Sequence, residues 1–202
     1  VPTMGSLHKG HISLIKKSLK RCKKTIVSIF VNPTQFNKKK DYKKYPKNIK
    51  KDLRILRKLK VDFVFMPKVN DIYRLKRKKR ILLKKKDIIL CAKFRKGHFN
   101  GVLDVMDRLT KLINPNKIFM GEKDYQQFYL VKKFIEKRYL AKLIMCKTIR
   151  NKYNVAYSSR NLHLKKNLMN IASMIVYELK KIIKNIPSRI KTNKFLRNKS
   201  KY

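Results

Sequence analysis

The chain has no tryptophan, only three cysteines and only eleven carboxylates among its 202 residues. Cys22, Cys91 and Cys146 lie far apart, are odd in number and form no CxxC pair. That excludes a disulfide framework or a zinc ribbon as the organising device and fits a reducing, cytoplasmic compartment. No apolar stretch approaches the ~18 residues that a membrane-spanning helix needs, so no membrane partner is expected. No secretory signal pattern is visible, and no internal repeat points to a solenoid. The first residue is Val1, not Met, so the N-terminus given is not expected to be the true one.

Positive charge is abundant. Lysine and arginine total 56 against 11 acidic residues, a formal charge of +45. One reading is a basic nucleic-acid-binding protein. A binding stripe, however, would cluster its basic residues, often with arginine and interleaved aromatics. Here lysine dominates and is spread along the whole chain, and Lys, Asn and Ile, all with A/T-rich codons, are abundant together. Mutational bias toward A and T is the competing hypothesis, under which nucleic acid is not a specific partner. With 43% hydrophobic residues the chain is not disordered, and its length allows one full domain and part of a second.

Along the chain, strand-like and helix-like segments alternate. Residues 12–21, 48–59, 101–113, 125–136 and 165–185 have helical apolar spacing, the last stopped by Pro187. "TIVSIFV" (25–31), "VDFVFMP" (61–67), "KIFMGEKD" (117–124) and "KLIMCKTIR" (142–150) read as strands, the first buried on both faces and the third running into a polar turn. Such alternation predicts an α/β fold: a mainly parallel, Rossmann-like sheet with flanking helices. Ligands in such sheets sit beyond the carboxyl ends of the strands. The informative polar residues fall there.

"TMGSLHKGH" holds two of the four histidines and two of the five glycines at the start of the first helix. A spacing of three puts His8 and His11 on one face near the helix's positive end, where unpaired N–H groups suit a phosphate. Gly5 and Gly10 permit close backbone approach. The alternative is a helix cap with two surface histidines. "GEKD" offers Gly121 for close approach, Glu122, Lys123 as a phosphate point charge and Asp124 for ribose hydroxyls, or else a polar turn. "YSSRN" offers the Ser158 and Ser159 hydroxyls and the Arg160 fork, or else an N-cap. Asn32, Gln35 and Gln127 are neutral amides suited to a small polar substrate, or turn residues. His98 lies in "FRKGHFNG" as part of a loop packed by Phe94 and Phe99, or of a substrate-side lid. The histidines and carboxylates show no spacing for a caged metal.

These blocks, in this order, resemble the pantothenate synthetase (pantoate–β-alanine ligase) family of the nucleotidylyl-transferase superfamily. The matching stretches are "VPTMGSLHKGHISLI", "VSIFVNPTQF", "DYKKYPKNIKKDL", "FVFMPKVNDIY", "GHFNGV", "FMGEKDYQQ" and "YSSRN". The resemblance implies ATP-dependent condensation of pantoate with β-alanine through pantoyl adenylate, with ATP as co-substrate and Mg²⁺ in attendance. It implies that Met4, Gly5, Ser6, Leu7, His8, Lys9, Gly10 and His11 line the ATP site, His11 as proton donor with His8 beside it. Gly121, Glu122, Lys123 and Asp124 would bind ribose and phosphate, Lys123 stabilising the transferring phosphate. Ile149 would pack near adenine, and Tyr157, Ser158, Ser159 and Arg160 would close over the phosphates. Gln35 and Gln127 would hold pantoate, with Asn32 close by. Asp52 is the weak metal candidate: the family often has a second acid beside it, where this chain has Lys51. Asn100 stands where arginine is common.

The resemblance further implies an ATP- and pantoate-binding domain over 1–161, with 162–202 the start of a truncated C-terminal region, and possible homodimers. A non-catalytic remnant of such an enzyme is the alternative.

Overall fold

Four of the five strands grow from the apolar runs described above. The computed structural model describes residues 1–74 and 81–185. Among these, β1 (Pro2–Thr3), β2 (Ile26–Ile29) and β3 (Phe63–Phe65) form one parallel sheet in that order, and β4 (Lys117–Gly121) and β5 (Lys142–Cys146) form a second parallel pair. The helices are α1 (Lys9–Arg21), α2 (Lys39–Lys43), α3 (Ile49–Lys58), α4 (Val69–Tyr73), α5 (Cys91–Phe94), α6 (His98–Ile113), α7 (Tyr125–Ile135) and α8 (Lys166–Asn185). The architecture is the expected α/β fold.

The chain divides into two compact units. The first contains Val1–Ile149 and Tyr157–Ser159. Its core has two clusters. Leu7, Leu14, Ile15, Val27, Leu56, Phe119 and Cys146 pack together, so strands of both sheets share one apolar centre. Phe30, Phe99, Val102, Met106, Phe128, Val131, Ile135 and Leu143 form the other. In α1, Leu14, Ile15 and Ser18 point inward at helical spacing, and Ser18 Oγ pairs with Thr25 Oγ1 at 2.9 Å. Lys20 and Arg21 close the last turn, where cations complement the helix dipole.

The second unit contains, among the described residues, Arg150–Ala156 and 160–185. Asn151 Oδ1 accepts the Tyr153 and Val155 amides and shapes the hairpin-like turn, while Ser173 Oγ on α8 donates to Tyr153 O at 2.8 Å. Pro187, expected to end α8, lies outside the described residues.

Gly101 decides how α6 meets the rest of the first unit. A Cβ there would lie 2.4 Å from the Thr34 carbonyl oxygen and 2.9 Å from the Gln35 nitrogen, both backbone atoms. The helix thus rests directly on the turn after β2. Gly101→Ala is expected to lower stability by about 1–3 kcal/mol through this overpacking, even though alanine is the better helix former. Urea denaturation of the variant beside the parent protein measures it.

Candidate active site

β1 feeds α1 through a sharply bent loop. Gly5 and Ser6 are successive residues with positive φ, 77° and 51°. The second is costly for a side-chain-bearing residue and needs support from outside the loop. Asp52 on α3 supplies it: Oδ2 accepts the Ser6 amide at 2.8 Å and Oδ1 the Leu7 amide at 2.7 Å. Leu7 is buried in the core beneath. His8 then takes the N-cap position in extended conformation, and its Nδ1 accepts the Gly10 amide at 3.1 Å.

The His8 and His11 rings stack with centroids 4.0 Å apart, and His8 also faces the Tyr157 ring at 6.1 Å. Burial, the charge of His8 and the charge of Lys123, in that order, pull the His11 pKa down to about 3. Burial first and Lys123 second also lower that of His8. Both imidazoles are therefore neutral at pH 7. The bond from Gly10 makes His8 Nδ1 an acceptor, so its proton sits on Nε2. His11 Nδ1 is enclosed with no hydrogen-bond partner among the described residues. An unpaired acceptor costs less there than an unpaired N–H, which favours the same tautomer. The pair thus offers two Nε2–H donors without positive charge.

The other strand ends contribute as follows. After β2, Asn32 is 1% exposed and its amide is used up inside the protein. Oδ1 accepts from Tyr73 OH at 2.7 Å and Thr34 Oγ1 at 3.0 Å, while Nδ2 donates to Gly101 O and to Gln35 Oε1. Asn32 thus holds the Gln35 carboxamide oxygen within this turn. Gln35 Nε2 reaches Met4 Sδ at 3.0 Å, which joins this turn to the histidine loop. After β4, Lys123 lies near enough to both histidines to depress their pKa values and pairs with Asp124 at 2.8 Å; Glu122 accepts the Thr148 amide. Gln127 is half-buried on α7. The Tyr157 amide donates to Ile149 O, and Tyr157 Cβ lies 3.6 Å from where a Gly10 side chain would start. Met4, Gly5, Ser6, Leu7, His8, Gly10, His11, Gln35, Lys123, Ile149 and Tyr157 are therefore linked by contacts. Lys9 is exposed at the helix start and Gly121 ends β4. Arg160 belongs to the second unit.

Three residues carry more than their sequence context announced. Tyr45 is buried and its hydroxyl meets Ser159 Oγ at 3.0 Å, across 114 positions. Asp52 grips the loop. His98 opens α6 instead of sitting in a loop, with Nδ1 2.6 Å from Gln35 O and Phe99 edge-on to its ring. The expected packing by two aromatics fails for Phe94, which is 83% exposed. Only paired apolar blocks leave a one-dimensional trace; single polar residues bonded across the fold do not.

A protein-held metal does not fit these residues. Both Asp52 oxygens are taken by amides, and no group of three or more His, Cys, Asp or Glu among the described residues is arranged to hold an ion. No helix among them is long and apolar enough to cross a membrane.

A parallel α/β domain with a His-x-Gly-His helix start beside its strand ends is of the Rossmann-like class. Comparison narrows the class. The pantoate-beta-alanine ligase family profile matches residues 1–201, and the chain belongs to that family. It is 44% identical to the pantothenate synthetase of Endomicrobium trichonymphae over 87% of this chain and 64% of that one. It is 45% identical to that of Francisella tularensis subsp. novicida over 89% of this chain and 69% of that one. The chain spans roughly two thirds of these relatives' length. Among solved structures, it is similar to the Francisella tularensis pantoate-beta-alanine ligase complexed with beta-gamma ATP and beta-alanine (TM-score 0.84, 44% identity, 89% of this chain, 69% of that one). It is also similar to the pantothenate synthetase of Thermus thermophilus (TM-score 0.81, 33% identity, 85% of this chain, 63% of that one).

The lowered histidine pKa values predict a pH dependence. Above pH 6.5 His11 is neutral folded and unfolded and contributes nothing. Between 6.5 and about 3 the unfolded chain binds a proton that the folded one refuses, so stability falls as pH falls. The slope is about 1.4 kcal/mol per pH unit for one proton. Denaturation between pH 7 and 5 should show that slope reduced by about one proton in His11→Gln; equal slopes would contradict a buried neutral His11.

Proposed function

We propose that the protein condenses pantoate with β-alanine at the expense of ATP. The pantoate carboxylate attacks the α-phosphorus, the bond to the bridging oxygen breaks and pyrophosphate leaves. The β-alanine amine then attacks the acyl carbon, AMP departs and the amine's surplus proton goes to solvent or a base. The observation that carries this reading is the stacked, neutral His8–His11 pair at the start of α1 with Lys123 beside it. Nucleotidyl transfer needs charge stabilisation and in-line placement more than covalent catalysis. Two N–H donors, one ammonium and a helix N-terminus supply that.

In this reading His11 and His8 act as hydrogen-bond donors to the triphosphate. Burial and the neighbouring cation make His11 a poor holder of a full proton in the absence of nucleotide. The triphosphate's own charge works in the opposite direction, and proton donation in the strict sense would depend on it. Lys123 neutralises the transferring phosphate, Glu122 and Asp124 with Gly121 take the ribose side, and Ile149 the adenine. Tyr157, Ser158 and Ser159 cover the phosphates. Gln35 and Gln127 hold pantoate, with Asn32 acting through Gln35. Mg²⁺ enters on the phosphates and needs few protein ligands. The site is cytoplasmic in this reading, and a homodimer would need counter-ions to screen +45 on each chain.

The test is AMP release that requires both pantoate and β-alanine. His11→Ala should lower it by about 10²–10³-fold, the loss typical of one transition-state donor. Gln35→Ala should raise the KM for pantoate more than that for ATP. A folded protein that binds ATP yet releases no AMP would replace the ligase with a non-catalytic nucleotide binder.

A further inference from the structure

The nucleotide loop is held by a group that is not itself part of it. Asp52 sits in the first turn of α3, 1% exposed, with a carboxylate that reaches across the fold to two successive amides, those of Ser6 and Leu7. Each oxygen accepts one N–H, at 2.8 and 2.7 Å. A carboxylate is spared the cost of burial only when hydrogen-bonded, and charge-assisted bonds of this length are strong. The two amides can meet one carboxylate only because Gly5 and Ser6 turn the chain into the left-handed region. Gly5 lies flat against the same carboxylate: a side chain there would begin 3.1 Å from Asp52 Oδ2.

We infer that Asp52 is a positioning residue of the nucleotide site, the template on which the left-handed Gly5–Ser6 turn is formed and from which His8 and His11 take their places. The inference rests on the functional reading above but makes a structural claim of its own. His8 follows Leu7 directly, so a shift of the Leu7 amide moves the N-cap and, through the Gly10 bond, the ring stacked on His11. The same bonds bar Asp52 from metal ligation and keep the Ser6 and Leu7 amides from phosphate.

Alternative origins of the same effect are separable. α3 also carries Leu56, one turn beyond Asp52 and equally buried, in the apolar cluster that includes Leu7, with no polar side-chain atom to offer the loop amides. Leu56→Ala therefore loosens the apolar packing of α3, that against Leu7 included, while both carboxylate oxygens are kept. Asp52→Asn keeps size and shape but replaces one acceptor with an NH₂ group that faces an amide donor.

The experiment compares the parent protein, Asp52→Asn and Leu56→Ala at a temperature where denaturation curves show all three folded. Pantoate-dependent exchange of pyrophosphate into ATP gives kcat and KM. The ¹⁵N–¹H spectrum gives the Ser6 and Leu7 amides, which carboxylate bonding shifts downfield. Asp52→Asn should lose about 100-fold in kcat, the cost of an ångström-scale misplacement, with both amides moved upfield. Leu56→Ala should keep kcat within a few-fold and leave both amides in place, although it is the less stable of the two. Parental kcat in Asp52→Asn, unmoved amides, or an equal kcat loss in Leu56→Ala would each overturn the inference. If the parent protein shows no exchange, the functional reading fails, and the amide shifts alone decide whether Asp52 shapes the loop.

Discussion

Parallel pairing is the constraint from which the site follows. Among the described residues every paired strand of β1 to β5 runs parallel to its neighbour. A parallel neighbour cannot be reached by a tight turn, so the chain must cross over and come back, and loops leaving the carboxyl ends gather at one edge. The histidine loop leaves β1, the Asn32–Gln35 turn leaves β2 and the Glu122–Asp124 turn leaves β4. Their convergence is visible in particular atoms. Lys123 lowers the pKa of both histidines, and Gln35 meets Met4. Gln35 is 31 positions from Met4, and Lys123 lies in a different motif from the histidines.

Within that edge, burial decides the chemistry. The histidines are partly enclosed, and the Lys123 ammonium adds repulsion to their desolvation. Each effect alone disfavours an imidazolium, and together they hold the pair neutral. A neutral pair can stack at 4.0 Å, where two cations would repel. Neutrality also settles which nitrogen carries the proton, because the Gly10 amide claims His8 Nδ1. The loop glycines matter in different ways. Gly5 supplies a positive φ beside a buried carboxylate, whereas Gly10 leaves room for a ring, since a side chain there would begin 2.9 Å from His8 Cε1.

Much of this was legible in the sequence, and the rest was hidden for definite reasons. Helices α1, α3, α6, α7 and α8 announce themselves because three or more turns of apolar spacing cannot arise easily otherwise. β1 is two residues long and carries no period at all. α2, α4 and α5 are single turns, too short for an apolar stripe to show. The start of α6 was read three residues late. Its first turn, His98 to Asn100, follows a left-handed Gly97 and has no helical pattern of its own. The motif residues of the site were legible as groups. At Asn32 the sequence shows a donor and an acceptor but not the bonds they make to Tyr73, Thr34 and Gly101. Asp52 and Tyr45 act across 45 to 114 positions, a distance at which no local pattern exists.

The scarce carboxylates argue that charge and structure are nearly independent in this chain. Five of the eleven acids accept backbone amides at points where the fold would otherwise leave a donor unpaired. Asp52 holds Ser6 and Leu7, Asp62 holds Thr25 at the entry to β2, Asp71 holds Lys68 at the start of α4, Glu122 holds Thr148, and Glu136 holds Leu143 on β5. Asp87 and Asp104 pair with Lys133 and Arg108, and Asp107 accepts from Tyr139. Exposed ion pairs such as Lys24–Asp62 add little in water, so replacing surface acids by lysine costs the fold little. Removing an acceptor from a backbone amide costs more, because the amide is then left unpaired. A chain can therefore accumulate positive charge over its solvated faces while its bonded carboxylates stay. On that physical account +45 is a property of the surface, and the neutrality of the two histidines is set by their burial and immediate neighbours and not by the total.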